Sequence, residues 1–273
     1  MPQILSEAQV RAFHDTGILT PLRAIDPADA EARRRRLEAF EAETGQPAVD
    51  SLHFKGHLYF DWTFDLARHP RIVGAVADLA GPDLFVMASR FWIKEPQDRK
   101  FVSWHQDAAY FGIQPQSILT VWLALNEVTR DNGCMRVIPG SHTGGTRKHV
   151  ETRDADNLLS RGQALSEVDD SSAIDVVLEP GEFSIHHGHV FHSSEPNVSD
   201  DRRIGFAMMF IPAHVESTIG RRSATLVNGE DRHGHWDHDP FPSRDRDPVI
   251  WDLMHQANAH YRGERGQDAE AAS

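Results

Sequence analysis

Ser103-Trp104-His105-Gln106-Asp107 is the stretch around which the predicted fold and site of this chain are arranged. Side chains alternate between the two faces of an extended strand, so a strand here would point His105 and Asp107 the same way and Gln106 the other way. An imidazole and a carboxylate side by side are two candidate metal ligands. Because His-x-Asp pairs are common in proteins, a third ligand is needed before a metal site is indicated.

The third candidate lies in the histidine-rich stretch 180–197. Its Pro-Gly predicts a turn, Glu182 to His186 a strand, and the residues through His192 a second strand. Arg203 then opens an apolar run that predicts a buried strand, and a guanidinium in that position needs an anion such as a carboxylate. Two histidines and one carboxylate leave three positions open on a metal, which is the arrangement of non-haem iron(II) oxygenases. Spacing alone does not select among the neighbouring histidines.

Three motifs follow one another in the chain: His105-Gln106-Asp107, then Asn132-Gly133-Cys134-Met135-Arg136-Val137-Ile138-Pro139-Gly140-Ser141-His142, then His192-x-Ser194-x-x-Asn197 with Arg203 eleven residues after His192. In this order they resemble the phytanoyl-CoA dioxygenase family of iron(II)/2-oxoglutarate oxygenases, over residues from about 88 to about 211. The resemblance implies that His105, Asp107 and His192 hold iron. It also implies that Arg203 and Ser194 hold the distal carboxylate of 2-oxoglutarate.

The family also places a tryptophan near the cosubstrate, at the position of Trp122, although a simple core tryptophan remains an alternative. Thr120, on the same face of that predicted strand, is a further candidate cofactor-binding residue. His187 and His189 are expected behind the site or at the surface. The halogenating branch of the family has a small residue where Asp107 stands, so the resemblance implies hydroxylation rather than halogenation.

The predicted fold is mainly β with flanking α-helices, a double-stranded β-helix of the jelly-roll, cupin-like type. We expect a single domain over 1–273, with helical N-terminal support over 1–83, the barrel core over 84–212, and a C-terminal loop and helix over 213–273. The polar segment 143–172 is an insertion in the barrel, which we assign to substrate enclosure because loops of that length are usually lids or binding loops.

Local signals predict the individual elements. A capping box at Ser6 and Gln9 begins a helix that Gly17 ends, and helices are also predicted from Pro27 to Gly45, from Pro70 to about Ala80 and from about Pro248 to Tyr261, before a frayed tail over 266–273. The arginine run at 33–36 has acidic neighbours at helical spacing, which favours a solvated, ion-paired face over a nucleic-acid patch. Strands are predicted at Ile18 to Leu22, Leu84 to Lys94, Ser117 to Asn126, Cys134 to Ile138, Ala173 to Leu178, Glu182 to His186 and Arg203 to Ile211.

An acidic composition limits the classes of partner. The chain has 41 Asp and Glu against 28 Lys and Arg, a formal charge of -13, which argues against nonspecific nucleic-acid binding. Apolar runs are no longer than strands and no signal peptide is evident, so no membrane association and a cytoplasmic location are expected. Cys134 is the one cysteine and is expected to be buried. A small-molecule substrate and a monomer or homodimer are expected.

The substrate is the least constrained prediction. Basic side chains would suit an anionic or zwitterionic molecule, and aromatic ones an ammonium or a hydrophobic intermediate. The candidate substrate residues are Lys94, Arg90, Tyr110, Phe111 and His235, with Tyr59, Phe60, Trp92 and Arg221 as further residues that could face the cavity.

We predict a dioxygenase that uses Fe(II), 2-oxoglutarate and O2 to hydroxylate an unactivated C–H bond of a small polar metabolite, of amino-acid, quaternary-ammonium or aminoalkylphosphonate type, with release of succinate and CO2. The alternatives are a tailoring oxygenase for a natural-product or acyl intermediate, a non-catalytic small-molecule-binding protein on the same barrel, and a zinc hydrolase. For the cluster His233, His235 and His238, a zinc site, a cover over the active site and a solvated loop all stay open.

Overall fold

The computed structural model describes residues 3–152, 154–159 and 163–258. Its helices lie mainly in the first third of the chain. They are α1 (Glu7–Thr16), α2 (Pro27–Thr44), α3 (Ala48–Ser51), α4 (Asp61–Ala67) and α5 (Pro70–Ala80), and a further helix covers 248–258.

Helix ends follow the local sequence signals. The Ser6 hydroxyl oxygen accepts from the backbone N–H of Gln9, and the Gln9 side-chain oxygen accepts from the backbone N–H of Ser6. The predicted capping box is therefore present. Gly17 and Gly45 end α1 and α2 in the left-handed conformation, which glycine adopts without steric cost. The end predicted for the last helix at Tyr261 and the tail over 266–273 lie outside the described residues.

Most of the remaining structure is β. The strands are β1 (Ile18–Arg23), β2 (Leu84–Lys94), β3 (Val102–His105), β4 (Ile113–Gln114), β5 (Leu119–Ala124), β6 (Met135–Ile138), β7 (His149–Glu151), β8 (Gln163–Leu165), β9 (Ile174–Val176), β10 (Glu182–His187), β11 (Phe191–Ser194), β12 (Arg203–Pro212), β13 (Glu216–Ser217), β14 (Ser223–Asn228) and β15 (Asp237–His238).

Two sheets carry the fold. The larger has seven strands in the order β1-β10-β5-β12-β2-β14-β15, and the smaller has four in the order β3-β11-β6-β9. All of these neighbours are antiparallel except β14 and β15. The predicted fold class, a mainly β jelly-roll with flanking helices, is confirmed.

The two faces of the large sheet have different partners. On β5, Val121 and Leu123 belong to a core cluster with the helical residues Leu37 and Phe40. Trp122, which alternates with them, belongs to a second cluster together with residues of the small sheet. Helices therefore cover one face, and the other face and the small sheet enclose the interior in which polar side chains collect.

Two segments predicted as loops contain strands. β14 lies within 220–239 and pairs with β2, and β7 and β8 form a hairpin within 143–172. β14 was missed because its short apolar run is marked as a strand only by its pairing with a distant segment. No helix of the described part of the chain is both long and apolar enough to cross a membrane.

The arginine run at 33–36 is not simply a solvated face. Arg34 binds the Asp201 carboxylate through two nitrogens, at 2.8 and 2.9 Å, and Arg36 binds Asp61 at 2.7 Å. Two of the four arginines therefore tie α2 to other parts of the chain. The expected i,i+4 pairs are present as well, for example Arg34 with Glu38.

Candidate metal centre and adjoining cavities

The ends of β3 and β11 bring His105, Asp107 and His192 to one point. His105 stands directly opposite His192 in the antiparallel pair, and their ring centroids are 4.0 Å apart. Asp107 follows β3 in a short 3-10 helix, with Oδ1 3.5 Å from Nε2 of His105 and 3.6 Å from Nε2 of His192. One ligand atom of each residue lies within 4.8 Å of the others, and no other such group of three occurs in the described ranges.

Both histidines present a free Nε2 to this point. Nδ1 of His105 lies 2.9 Å from the carbonyl oxygen of Ser103, and Nδ1 of His192 lies 3.1 Å from that of Val190. A carbonyl only accepts, so each Nδ1 carries the ring proton and each Nε2 has its lone pair available. Burial, together with the neighbouring His105, holds the pKa of His192 well below its usual value and keeps the ring neutral.

Asp107 is buried but ionised. Burial by itself would raise its pKa, yet the neighbouring imidazoles, His192 first and then His105 and His186, hold the pKa of Asp107 well below its usual value. Its Oδ2 accepts from the hydroxyl of Thr120 at 2.6 Å and lies 3.1 Å from Nε2 of His186. Oδ1 is the oxygen turned towards His105 and His192.

The donor set suits a divalent metal. Two neutral imidazoles and one carboxylate, all at most 9% exposed, match the ligands of a non-haem iron(II) site with three positions open. Without a cation, the negative charge of Asp107 in this interior would lack its natural counter-charge.

An inner cavity extends from the three ligands to Arg203. Trp122, Thr120, Ser194 and His186 also line it. The guanidinium of Arg203 is 2% exposed and lies 5.3 Å from the Trp122 ring, and its NH1 donates to the carbonyl oxygen of Gly133. Its Nε has no partner, and burial lowers the pKa of Arg203 only to about 10, so it remains charged.

Arg203 forms no ion pair with any described carboxylate. Across the interior, Ser194 offers a hydroxyl whose oxygen accepts from Nζ of Lys94 at 2.8 Å. A buried, unpaired guanidinium is costly, and a bound carboxylate is the group that would satisfy it. A carboxylate of an acid such as 2-oxoglutarate would supply that group.

Two predicted site residues have contacts other than those expected. Thr120, predicted to bind the cofactor, lines the inner cavity but donates its hydroxyl hydrogen to Asp107. Lys94, a predicted substrate residue, lies fully buried behind Ser194, on the strand next to Arg203, where it also donates to the carbonyl oxygen of Glu195. Burial, and next the charge of Arg203, lower the pKa of Lys94 to about 6.

A second cavity of about 280 Å³, the outer cavity, shares His105 and Asp107 with the inner one. Arg90, Tyr110 and Phe111, all predicted, are among its lining residues. The guanidinium of Arg90 lies over the Trp92 ring at 4.1 Å. The lining also contains residues that sequence reasoning did not single out, namely Asp50, His53, Phe54, Lys100, Leu158 and Leu159.

Other candidates lie elsewhere. His235 is not among the residues that line either cavity, and its ring stacks with that of His233 at 5.5 Å. Arg221 lines a separate cavity near Lys55. Tyr59 and Phe60 pack in the core cluster beside Phe40, with ring centroids 5.8 and 5.3 Å from it. Tyr59 and Phe60 were expected to face the cavity because aromatic residues are common both in cavity linings and in hydrophobic cores. Only the packing of the folded chain shows which of these locations they occupy.

His186 is the residue at the centre that sequence reasoning did not assign. It was one of several histidines among which spacing could not choose. The available signal was the alternation along β10, which places His186 and His187 on opposite faces. The sequence does not show which of these faces points to the metal centre, because that depends on the pairing of β10 with β5.

Comparison with known proteins relates the whole arrangement to one family. The family model described as phytanoyl-CoA dioxygenase (PhyH) matches residues 2–205. A probable alpha-ketoglutarate-dependent hypophosphite dioxygenase of Stutzerimonas stutzeri is 32% identical over 157 residues, which are 55% of this chain and 54% of that protein. The chain thus spans about half the length of this curated relative.

Solved structures match over more of the chain. A non-heme monooxygenase, ThoJ in its apo form, is 31% identical, with a TM-score of 0.83 over 96% of this chain and 99% of that one. CytC3 with Fe(II) and alpha-ketoglutarate is 26% identical, with a TM-score of 0.68 over 89% of this chain and 96% of that one.

Proposed function

The chain belongs to the phytanoyl-CoA dioxygenase family, and from this premise we propose that it hydroxylates a C–H bond of a small polar metabolite, with consumption of 2-oxoglutarate and O2 and release of succinate and CO2. Iron(II) and 2-oxoglutarate, the cofactors predicted from the sequence, are confirmed as those of the family's solved relatives. The observation that carries the proposal is the buried group His105, Asp107 and His192 beside a buried Arg203 with no carboxylate partner among the described residues.

Each residue of the inner cavity has a proposed task. His105, Asp107 and His192 hold iron(II), which when bound supplies the oxidising chemistry with 2-oxoglutarate and O2. Arg203 binds the distal carboxylate of 2-oxoglutarate, and Ser194, whose oxygen accepts from Lys94, turns its own hydroxyl hydrogen towards that carboxylate. Trp122 shields the guanidinium from water along one side.

Hydroxylation is favoured over halogenation because Asp107 occupies the third ligand position. A halide would need a vacant position at the metal, and the carboxylate of Asp107 fills it. We expect turnover that does not depend on chloride or bromide and a product free of halogen. A halogenated product in the presence of chloride would contradict this assignment.

The outer cavity supports a small substrate. Its volume of about 280 Å³ is at the lower end of the range for ligand pockets. The lining contains both positive and negative side chains, namely those of Arg90, Lys100 and Asp50. Such a mixture suits a zwitterion, for example an amino acid or an aminoalkylphosphonate. The name of the S. stutzeri relative, a hypophosphite dioxygenase, also points to a small molecule.

The test is to add iron(II) and 2-oxoglutarate to the protein without oxygen. A visible metal-to-ligand charge-transfer band is expected, and small zwitterionic metabolites are then screened with O2 for stimulated succinate release. No band from protein loaded with iron(II) would favour the second candidate function, a non-catalytic binding protein. Activity that needs neither O2 nor 2-oxoglutarate would favour a hydrolase.

We also propose that the chain works as one catalytic domain over 1–273. β1 from the N-terminal part and β14 from the C-terminal part are both strands of the seven-stranded sheet. Leu158 and Leu159 of the 143–172 segment line the outer cavity, which supports a role of that segment in substrate enclosure.

A further inference from the structure

A second histidine–carboxylate contact lies behind the metal centre. Thr120 on β5 and His186 on β10 are directly opposite each other in the large sheet, so their side chains lie next to each other on one face. Both reach the same atom, Oδ2 of Asp107, at 2.6 Å from the Thr120 hydroxyl and 3.1 Å from Nε2 of His186.

This contact requires His186 to be a donor. An ionised carboxylate oxygen only accepts, so Nε2 carries a proton. Nδ1 is buried and has no partner, while the side chain as a whole is 2% exposed. An apolar ring in the same place would leave no nitrogen unsatisfied, so packing does not explain an imidazole here. The bond to Asp107 does.

The two carboxylate oxygens of Asp107 therefore have different contacts. Oδ1 faces Nε2 of His105 and Nε2 of His192, and Oδ2 is held by two donors from the opposite sheet. A carboxylate can bind a metal through one oxygen or through both, and the second mode uses an additional coordination position. With one oxygen of Asp107 and two imidazoles as ligands, a bound metal would keep three positions open.

We propose that His186 is a positioning residue that, with Thr120, holds Asp107 so that it binds the metal through Oδ1 alone. The inference rests on the proposed function, since it assumes a metal at His105, Asp107 and His192. His186 would then act through Asp107, because its proton is committed to Oδ2 and Nε2 has no lone pair left for the metal.

Cobalt(II) is the probe, because its ligand-field absorption reports the coordination number without turnover. His186→Phe keeps an aromatic ring, though a larger one, and removes the donor, whereas His186→Gln keeps an N–H within reach of Oδ2. His187→Phe is the matched control, since the next residue of β10 points to the other face. Folding of each variant is checked by circular dichroism and by its unfolding midpoint.

We expect His186→Phe to lower cobalt(II) affinity about 10- to 100-fold, the range for partners that orient a metal ligand, and to shift the ligand-field bands. His186→Gln should restore both, and His187→Phe should resemble the parent protein. Parent-like affinity and bands in His186→Phe would overturn the inference, and so would a His186→Gln variant as impaired as His186→Phe. If His186→Phe does not fold, His186→Leu takes its place in the same comparison.

Failure of this inference is distinguishable from failure of the proposed function. If the parent protein gives the charge-transfer band with iron(II) and 2-oxoglutarate while His186→Phe binds cobalt(II) normally, the oxygenase site stands and only the positioning role falls. If the parent protein binds neither metal, both fall together.

Discussion

At the scale of single residues, Arg203 is the most informative side chain. It is a charged group with 2% exposure, one backbone acceptor and an unpartnered Nε. A buried charge of this kind is tolerated in a folded protein if an anion binds to it or if the packing of the surrounding strands holds it in place. Its place at the start of β12, in the middle of the large sheet, meets the second condition, and 2-oxoglutarate would meet the first.

Arg203→Ala should raise the 2-oxoglutarate concentration needed for half-maximal turnover or for the charge-transfer band by about 30-fold or more, because removal of one partner of a buried charge pair costs at least about 2 kcal/mol. Metal affinity should be unchanged, since Arg203 does not contact the three ligands. The measurement is a titration with 2-oxoglutarate at saturating iron(II).

Arg202→Ala is the matched control. Arg202 is the adjacent arginine, and it binds Glu41 at 2.7 Å and Glu95 at 2.6 Å instead of lining the cavity. The control should keep the parent requirement for 2-oxoglutarate even if it unfolds more easily. Equal effects of the two substitutions would remove Arg203 from the cosubstrate site.

At the scale of elements, β12 makes room for the indole of Trp122 on the neighbouring strand. A Cβ added to Gly205 would lie 1.8 Å from Cζ2 of Trp122, far inside any real contact distance. The indole in turn lies against the guanidinium of Arg203. The absence of a side chain at Gly205 therefore helps to shape the inner cavity.

Gly205→Ala should displace the indole, lower stability by about 1–3 kcal/mol as overpacking does, and weaken 2-oxoglutarate binding. Gly144→Ala is the control, since a Cβ there meets nothing within 4 Å. Urea unfolding and the 2-oxoglutarate titration measure the two effects. A Gly205→Ala variant with parent-like affinity for 2-oxoglutarate would show that the indole position is unimportant for the cosubstrate.

A second element-scale feature is a buried polar network between β2 and β14. His57 bridges Ser89 and Thr225 with its two ring nitrogens, at 2.7 and 2.8 Å, and Thr225 also donates to Asp239, the partner of Lys55. Burial, and next the charge of Lys55, lower the pKa of His57 to about 3, so the ring stays neutral in the folded protein.

Because this pKa is lower in the folded state than in the unfolded state, the unfolded protein binds the extra proton. The stability that depends on His57 is therefore complete above about pH 6.5 and is lost as the pH falls towards 3. Between pH 6.5 and 5 the loss from this one group is about 1–2 kcal/mol.

His57→Gln should reduce the loss of stability between pH 6.5 and 5 by about that amount, measured as the free energy of unfolding in urea at several pH values. His214→Gln, at an exposed position, is the control and should keep the parent pH dependence. The explanation is wrong if His57→Gln loses stability with acid as steeply as the parent protein.

At the scale of the whole molecule, the site lies where both sheets meet, so its ligands connect parts of the chain that are distant in sequence. The small sheet contributes His105 and His192, and the large sheet contributes Arg203 and Thr120. A metal and a cosubstrate that bind across this junction should stabilise the fold as a unit.

A redox-inactive metal together with 2-oxoglutarate should raise the unfolding temperature. A ligand at 100 times its dissociation constant adds about 2.7 kcal/mol, which for a chain of this size corresponds to roughly 5 °C or more. Manganese(II) alone should give part of the shift, and 2-oxoglutarate should add to it only when the metal is present. The measurement is differential scanning fluorimetry.

The same experiment on Arg203→Ala separates the two contributions. The shift from manganese(II) should persist, and the further shift from 2-oxoglutarate should be lost. An unfolding temperature that responds equally to 2-oxoglutarate with and without metal would contradict a cosubstrate site that includes the metal.

Some features were predictable because their signals are local. The bounds of β2, Leu84–Lys94, match the prediction residue for residue, α1 begins at its predicted capping box, and α1 and α2 end at their predicted glycines. Such signals operate between residues a few positions apart, where backbone hydrogen bonds and steric preference act directly. The family, the fold class and the cofactors are confirmed. The ligand and cosubstrate roles of single residues stay predictions.

Other features were not predictable because they depend on which strands become neighbours. Lys94 was expected at the substrate and lies behind Ser194, since the register of β2 against β12 pairs it with Arg203. His186 reaches Asp107 only because β10 pairs with β5. The charged lining of the outer cavity comes from separate segments, including Asp50 and Lys100.

The amino-acid sequence by itself determined most of the longer helices and strands, the order of the motifs and the kinds of ligand available, because alternation, capping and turn chemistry are properties of short stretches. Only the tertiary structure decided that His186 reaches Asp107, that Lys94 lies behind Ser194, and how the two cavities meet. Those outcomes follow from sheet order and register, which bring together residues with no local relation in the chain.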